Sequence, residues 1–216
     1  MKPLDYLNVE QNTEEWLLLR AGLVTSSKLG CIMANYGKAF GDPAKKYAVD
    51  KAIEQITGNP VESSFSNAHM DRGHEQEPIA RQHYEASTFC DVDNGGFFHN
   101  EKIGCSPDGL VADDGLIEIK SVISSTHYAN VRRQSIDPAY KWQCIGNLLF
   151  TGRKWLDFVS YCSDFPESKQ IYVYRMDVSD YQEGFDMILK RLSEFFILVD
   201  DTRATIEQSE YFVRAK

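Results

Sequence analysis

Apolar and polar positions change their period twice along this chain. From Asn12 to Ser87 the spacing is helical. Within Asn12–Lys28, Trp16, Leu17 and Arg20 lie on neighbouring faces of a first helix, a turn follows, and Thr25-Ser26-Ser27 is placed to cap a second. Pro43–Thr57 is a further helical stretch closed by Gly58. Asn67–Ser87 reads as one long helix with Pro78 inside it, where a kink or a break is expected. After Thr88 the pattern alternates. Gly95–Asn100, Ile103–Val111 and Leu116–Val122 read as strands, with Asp113-Asp114-Gly115 as the hairpin turn. Ser125 then opens a short helix, and Asp137-Pro138 opens another that Gly152 closes. Lys154–Cys162 and Gln170–Asp177 alternate as strands. Asp180–Asp200 is a helix with Phe185, Ile188, Leu189, Leu192, Phe195 and Phe196 along a wide apolar face. This order predicts an α/β fold, a mixed β-sheet flanked by helices, in one domain spanning 1–216.

Composition narrows the class. A chain of 216 residues with 43% apolar and 25% charged positions is ordinary for a globular enzyme and long enough to bury a core without disulfide staples. No run of apolar residues is long enough for a membrane span, and the first sixteen residues lack the apolar stretch of a secretory signal. The five cysteines are odd in number and contain no C-x-x-C, which disfavours a zinc ribbon, an iron–sulfur cluster or a disulfide framework and fits reduced thiols in a cytoplasm. A net charge of −9 excludes a generic nucleic-acid coater, so any DNA contact must lie in a selective cleft. The basic pairs Lys45-Lys46, Arg132-Arg133, Arg153-Lys154 and Lys190-Arg191 read as solvated faces that, as a set, could follow a duplex backbone.

The candidate chemistry sits in Gly104–Lys120, GCSPDGLVADDGLIEIK. In a strand over Leu116–Lys120, Glu118 and Lys120 share one face, about 7 Å apart at Cα, while Ile117 and Ile119 point into the core. The hairpin turn folds Asp108 back toward Glu118. Two carboxylates about 5 Å apart repel by about 3 kcal/mol at an effective dielectric of about 20. A lysine relieves part of this and a divalent cation relieves more; carboxylate oxygens suit Mg²⁺ or Mn²⁺ rather than zinc. Such a metal polarises a phosphoryl oxygen and acidifies water, and Lys120 is placed to orient that water or to neutralise charge at phosphorus. The chemistry is phosphodiester hydrolysis. Taken alone, P-D-x9-E-x-K is a loose pattern that a plain turn and a solvated ion pair would also produce.

Pro107, Asp108, Glu118 and Lys120 resemble the PD-(D/E)xK nuclease superfamily with its restriction-endonuclease-like fold. More closely, the chain resembles the phage lambda exonuclease and viral recombinase (YqaJ-type) alkaline exonuclease family over roughly Trp16–Trp155. The segment WLLLRAGLVTSSKLG is similar to the family's W-x3-R-x4-T-x-S, which implies that Arg20 and Ser27 bind the 5′-phosphate of the strand being degraded. RGHEQEPIARQHYE matches a G-x3-E helix and implies Glu77 as a further acidic metal-site residue. CSPDG implies Ser106 beside the terminal phosphate and Asp108 as the main metal ligand. IEIK implies Glu118 and the backbone carbonyl of Ile119 as ligands, with Lys120 catalytic. AYKWQCIGNLLFTGRKW carries Y-x2-Q, which matches Tyr140 and Gln143, with Gln143 facing the site.

The resemblance implies a Mg²⁺-dependent exonuclease, with Mn²⁺ as substitute, that digests one strand of linear double-stranded DNA 5′-to-3′ from a phosphorylated end. Mononucleotides and a 3′ overhang would be the products, a ring-shaped homotrimer the assembly, and a single-strand annealing protein the partner. A structure-selective endonuclease on the same fold and a DNA-end-binding module that does not cut are the alternatives; the complete acid–acid–lysine set argues against the second. Glu75 competes with Glu77 for the sheet-facing position, and Glu14 or Glu15 competes with phosphate for Arg20. Trp16 reads as a core residue rather than a base-stacking one, and Tyr140 as a packing residue. His69, His83, His99 and His127 show no ligand spacing and read as surface residues; Asp91-Val92-Asp93 and Asp113-Asp114 read as turns. His74-Glu75-x-Glu77 lacks the second histidine of a zinc protease motif.

Overall fold

A computed structural model of the chain describes residues 2, 4–61 and 68–210, apart from the side chains of 68–71 and 74. The expected start of the long helix at Asn67 and the side chain of His69 lie outside the described residues. In chain order the elements are β1 (Asp5–Leu7), α1 (Glu14–Arg20), β2 (Val24–Thr25), a 3₁₀ turn (Ser26–Lys28), α2 (Leu29–Met33), α3 (Asp42–Thr57), α4 (Ala68–Thr88), β3 (Val92–Asp93), β4 (Phe97–His99), β5 (Ile103–Cys105), β6 (Gly109–Val111), β7 (Gly115–Ser121), α5 (Ser124–Arg133), α6 (Lys141–Thr151), β8 (Trp155–Tyr161), β9 (Ile171–Asp177) and α7 (Gln182–Glu207).

These strands form two sheets, ordered β1-β4-β5-β2 and β3-β6-β7-β8-β9. The expected single strand over Ile103–Val111 is broken at Ser106-Pro107-Asp108, and β5 and β6 belong to different sheets. The break follows from chemistry. Pro107 has no N–H for a ladder, and its carbonyl is taken by the Gln11 side-chain amide at 2.8 Å. Residue 95 must also be glycine here, because a Cβ on Gly95 would come within 1.7 Å of the Pro107 oxygen. In the second sheet β7 runs parallel to β8, with Lys120 opposite Ser160, and antiparallel to β6, with Gly109 opposite Ile117.

The centre of β7 is buried on both faces, because helices cover both. Ile117 and Ile119 pack with Ala80 and Tyr84 of α4, while Leu116 joins Cys144, Leu148 and Phe158 in the main core under α6 and α7. Main-core burial of Ile188, Leu192 and Phe195 accounts for the apolar face of α7. α4 continues through Pro78 to Thr88 without a break. Tyr84 donates to Asp157 Oδ2 at 2.8 Å, and Arg175 closes a two-point pair on the same carboxylate at 2.8 and 2.7 Å, fixing α4 against the sheet.

Several local expectations are corrected. The hairpin turn is Ala112-Asp113-Asp114, with Ala112 at φ 46°, and Gly115 lies in β7 against Trp155. Thr25-Ser26-Ser27 makes no side-chain cap; Val24–Thr25 is a strand parallel to β5. Val92–Asp93 is a strand rather than a turn. Arg191 is buried instead of solvated, donating to the Ile32 carbonyl at 3.0 Å and lying 3.7 Å from the Phe40 ring centroid. His127 is fully buried, not a surface residue. Among the described residues no helix is long and apolar enough to cross a membrane.

Candidate active site

The site forms where β6 begins and β7 continues past it. Asp108 stands just before β6 and donates its N–H to the Ile117 carbonyl at 3.1 Å. One residue pair further along, no β6 residue remains to face Ile119, and the Asp108 carboxylate takes the strand's place: its Oδ2 accepts the Ile119 N–H at 2.6 Å. The Ile119 carbonyl lies on the same edge, since N–H and C=O of one strand residue point the same way. A cavity of about 530 Å³ opens here, with Asp108, Ile119, Lys120, Glu77, Gln143 and Tyr140 in its walls.

Glu118 lies beneath Lys120 with no exposure at all. Its Oε1 accepts from Lys120 Nζ at 2.5 Å and from the Gln143 side-chain amide, and its Oε2 accepts from Asn147 Nδ2 at 2.8 Å. Gln143 and Asn147 are one turn apart on α6, so that helix supplies the donors a buried carboxylate requires. Lys120 Nζ is also 3.9 Å from Asp108 Oδ2 and 5.4 Å from the Tyr140 ring centroid. Glu77 approaches from α4, on the opposite face of the sheet from α6. It pairs with Arg81 one turn along at 3.7 Å, and Arg81 also donates to the Asp108 carbonyl.

Too many carboxylates share this space for all to ionise easily. Burial and then the Asp108 charge push Glu77 up to about 7. The same two causes, in the same order, push Glu118 up to about 8, although Lys120 and Asn147 pull the other way. Burial by itself would lower Lys120, but Glu118 and then Asp108 outweigh it and hold the ammonium above its ordinary range. A cation would relieve this repulsion, and the donors on hand are all hard oxygens: Asp108, Glu77 and the Ile119 carbonyl at the wall, Glu118 below. That set fits Mg²⁺ or Mn²⁺. Among the described residues, no three acidic, histidine or cysteine side chains converge closely enough to hold an ion as they stand.

On the other side of Pro107, Ser106 Oγ accepts from the Trp16 indole N–H at 2.9 Å and from Arg20 at 3.2 Å. Arg20 lies over the Trp16 ring, and burial lowers its pKa to about 10, which leaves it charged at neutral pH. Ser27 is exposed and shares a hydrogen bond with Thr25 Oγ1 at 3.1 Å. The parallel register of β2 on β5, Thr25 opposite Gly104, carries Ser27 and Ser106 out of the sheet at the same end.

Residues 15–154 match the family model of the YqaJ-like viral recombinase domain. The chain belongs to the YqaJ-like viral recombinase family. Its fold is that of an alkaline exonuclease from Laribacter hongkongensis (LHK-Exo), which is 31% identical with a TM-score of 0.80 over 91% of this chain and 97% of that one. The same enzyme in complex with dAMP is 33% identical with a TM-score of 0.76 over 90% and 95%. A phage-related exonuclease from Haemophilus somnus 129PT shares the fold at 17% identity, with a TM-score of 0.68 over 85% and 96%. No curated relative matches the chain.

Of the candidate residues in this YqaJ-type chain, Asp108, Ile119, Lys120, Gln143 and Glu77 share one cavity, and Glu118 is bound beneath it. Glu75 is exposed, so Glu77 holds the sheet-facing position. Arg20 and Ser106 meet, Arg20 over the Trp16 ring rather than beside Glu14 or Glu15, while Ser27 makes no described contact with either. Sequence reading missed Asn147, Arg81 and Gln11. The first two carried a signal: Asn147 lies four residues after Gln143 and Arg81 four after Glu77, each on its helix's site-facing stripe. Gln11 carried none, because its contact with Pro107 spans two distant segments.

Proposed function

We propose that the chain is a Mg²⁺-dependent 5′-to-3′ exonuclease on linear double-stranded DNA, with Mn²⁺ as substitute. One observation carries the reading: Lys120 is held between Glu118 and Asp108 at the wall of an open cavity, 2.5 and 3.9 Å away, with Glu77 facing the same space. Asp108, Glu118, Glu77 and the Ile119 carbonyl would hold the metal. When bound, the metal supplies Lewis-acid polarisation of the phosphoryl oxygen and acidification of water. Lys120 remains an ammonium, so its part is donation: it orients the attacking water or neutralises charge gathering on the phosphoryl oxygens. Gln143 holds Glu118 in place and can turn its amide to water or a phosphate oxygen without adding charge.

Arg20, Ser106 and Ser27 would hold the terminal 5′-phosphate, so that the end itself is recognised. The likeness to LHK-Exo, a structure of which contains dAMP, supports mononucleotide release. A homotrimer enclosing duplex DNA and a single-strand annealing partner for the 3′ overhang belong to the same reading. The test is digestion of linear duplex carrying a 5′-phosphate or a 5′-hydroxyl, strand-labelled at each end, in Mg²⁺ or EDTA. Release of the 5′-end label from the phosphorylated duplex in Mg²⁺ alone is expected, with covalently closed circles left intact. Cutting of closed circles, or release from the 3′ end, would reject the proposal.

A further inference from the structure

Trp16 performs two contacts at once. Its indole N–H donates to Ser106 Oγ at 2.9 Å, and its ring lies 3.9 Å from the Arg20 guanidinium, measured to the centroid. Arg20 adds a second donation to the same oxygen at 3.2 Å, with the Phe97 ring centroid 5.9 Å away. The backbone of Trp16 is itself fixed, because its N–H donates to the capping Thr13 hydroxyl at 3.2 Å. A serine hydroxyl has two accepting lone pairs and one proton. Here both lone pairs face N–H donors, and in the described hydrogen bonds Ser106 Oγ only accepts. Its proton is therefore left to donate away from Trp16 and Arg20. A hydroxyl proton beside a guanidinium suits an anion with several acceptor oxygens.

We propose that Trp16 is a positioning residue of the terminal-phosphate pocket: its N–H, together with Arg20, fills the accepting side of the Ser106 hydroxyl and turns that group into a fixed donor to phosphate. The inference rests on the end recognition proposed above. The readout is the ratio of kcat/KM on 5′-phosphorylated duplex to kcat/KM on 5′-hydroxyl duplex, in Mg²⁺. A folding defect lowers both rates and leaves the ratio alone. Trp16→Phe keeps a ring beneath Arg20 and removes only the N–H; it should lower the ratio by about tenfold, the scale of one hydrogen bond to a charged group. Ser106→Ala should lower it at least as far. The two changes act through one hydroxyl, so Trp16→Phe combined with Ser106→Ala should fall no lower than Ser106→Ala alone. A parent that discriminates together with a Trp16→Phe variant of unchanged ratio overturns the inference and leaves end recognition standing, as do losses that multiply in the double variant. A parent with a ratio near one overturns both.

Discussion

On the Asp108 side of Pro107 the chain gathers three carboxylates, Asp108 and Glu118 about the Lys120 ammonium and Glu77 paired with Arg81, whereas on the Ser106 side it gathers a guanidinium and an indole N–H around a hydroxyl. The first surface brings three carboxylates and the Ile119 carbonyl, all hard oxygens, to one cavity and suits a divalent cation. The second has donors in excess and suits an anion. Only one residue separates them, and the proline makes this possible: where β5 passes to β6 between two sheets, consecutive side chains are released from a shared ladder and can face different surroundings. A phosphodiester substrate needs both kinds of surface, one to carry the cation beside the reacting phosphoryl group and one to hold the chain's end.

The sharpest way to break this division is to remove the cation of each side in turn. Lys120→Ala deletes the ammonium from the acid side and should lower kcat for nucleotide release by about 10²–10³-fold, the scale of losing a preorganised electrostatic group. The preference for a phosphorylated end should survive in whatever rate remains. Arg20→Ala should do the reverse, collapsing the preference while kcat on 5′-hydroxyl duplex changes far less. If both variants lost both properties equally, the two surfaces would be acting as one. Single-turnover rates on the two kinds of duplex end check this.

A smaller effect tests the crowding of carboxylates. With Glu77 raised to about 7 and Glu118 to about 8, the folded protein binds more protons than the unfolded chain between the ordinary carboxylate range and pH 8. The stability these two groups contribute is thus present at low pH and is lost as pH rises through that window. A divalent cation needs them ionised. Mn²⁺ should therefore raise the melting temperature more at pH 8 than at pH 6, by at least about 4 °C at the higher pH. Asp108→Asn should abolish that shift, and Arg20→Ala should keep it. Thermal unfolding with and without EDTA at both pH values reads the difference.

Much of this was legible in the chain. Glu118 and Lys120 on one face follow from alternation along one strand, whereas the place of Gln143 on the covering helix was legible only through the family resemblance. The break at Pro107 was harder. Ser106-Pro107-Asp108-Gly109 interrupts the apolar positions of Ile103–Val111 and the proline marks a weak point in a strand, but only the partners of the tripeptide, Gln11 and Gly95 on one side and Ile117 on the other, show that the chain changes sheets. Short strands such as Val24–Thr25 and Val92–Asp93 hold too few residues for a period. Buried polar groups were invisible for a related reason. His127 and Arg191 look like surface residues in sequence, and are buried because distant carbonyls, Lys169 and Ile32, wait for them.

His127 gives the smallest and most selective test. It fixes α5, the helix whose N-terminal turn carries Ile123 and Thr126 into the wall of the acid-side cavity. Its Nε2 faces the Lys169 carbonyl at 3.1 Å, which can only accept, so Nε2 holds the proton and Nδ1 accepts from Ser160 at 2.9 Å. Ser160 accepts in turn from Asn130 at 3.1 Å and stands opposite Lys120 in the sheet. A second proton on the ring would leave the Ser160 hydroxyl without its acceptor. Burial lowers the pKa of His127, offset in part by the Lys169 carbonyl. The unfolded chain then takes up a proton near pH 6.5 that the folded protein resists, so this contribution is present above that pH and fades as pH falls. Glu77 and Glu118 slope the opposite way in the same range, so the parent's own curve mixes the two. The difference between parent and His127→Asn isolates the histidine: the variant should melt lower at pH 7.5, by about 2–4 °C per kcal/mol lost, with the gap narrowing toward pH 5.5. Any activity loss should appear in kcat on either duplex end, and the ratio between phosphorylated and hydroxyl ends should not move. A gap that widened as pH fell would mean that His127 is not held neutral behind the acid-side wall.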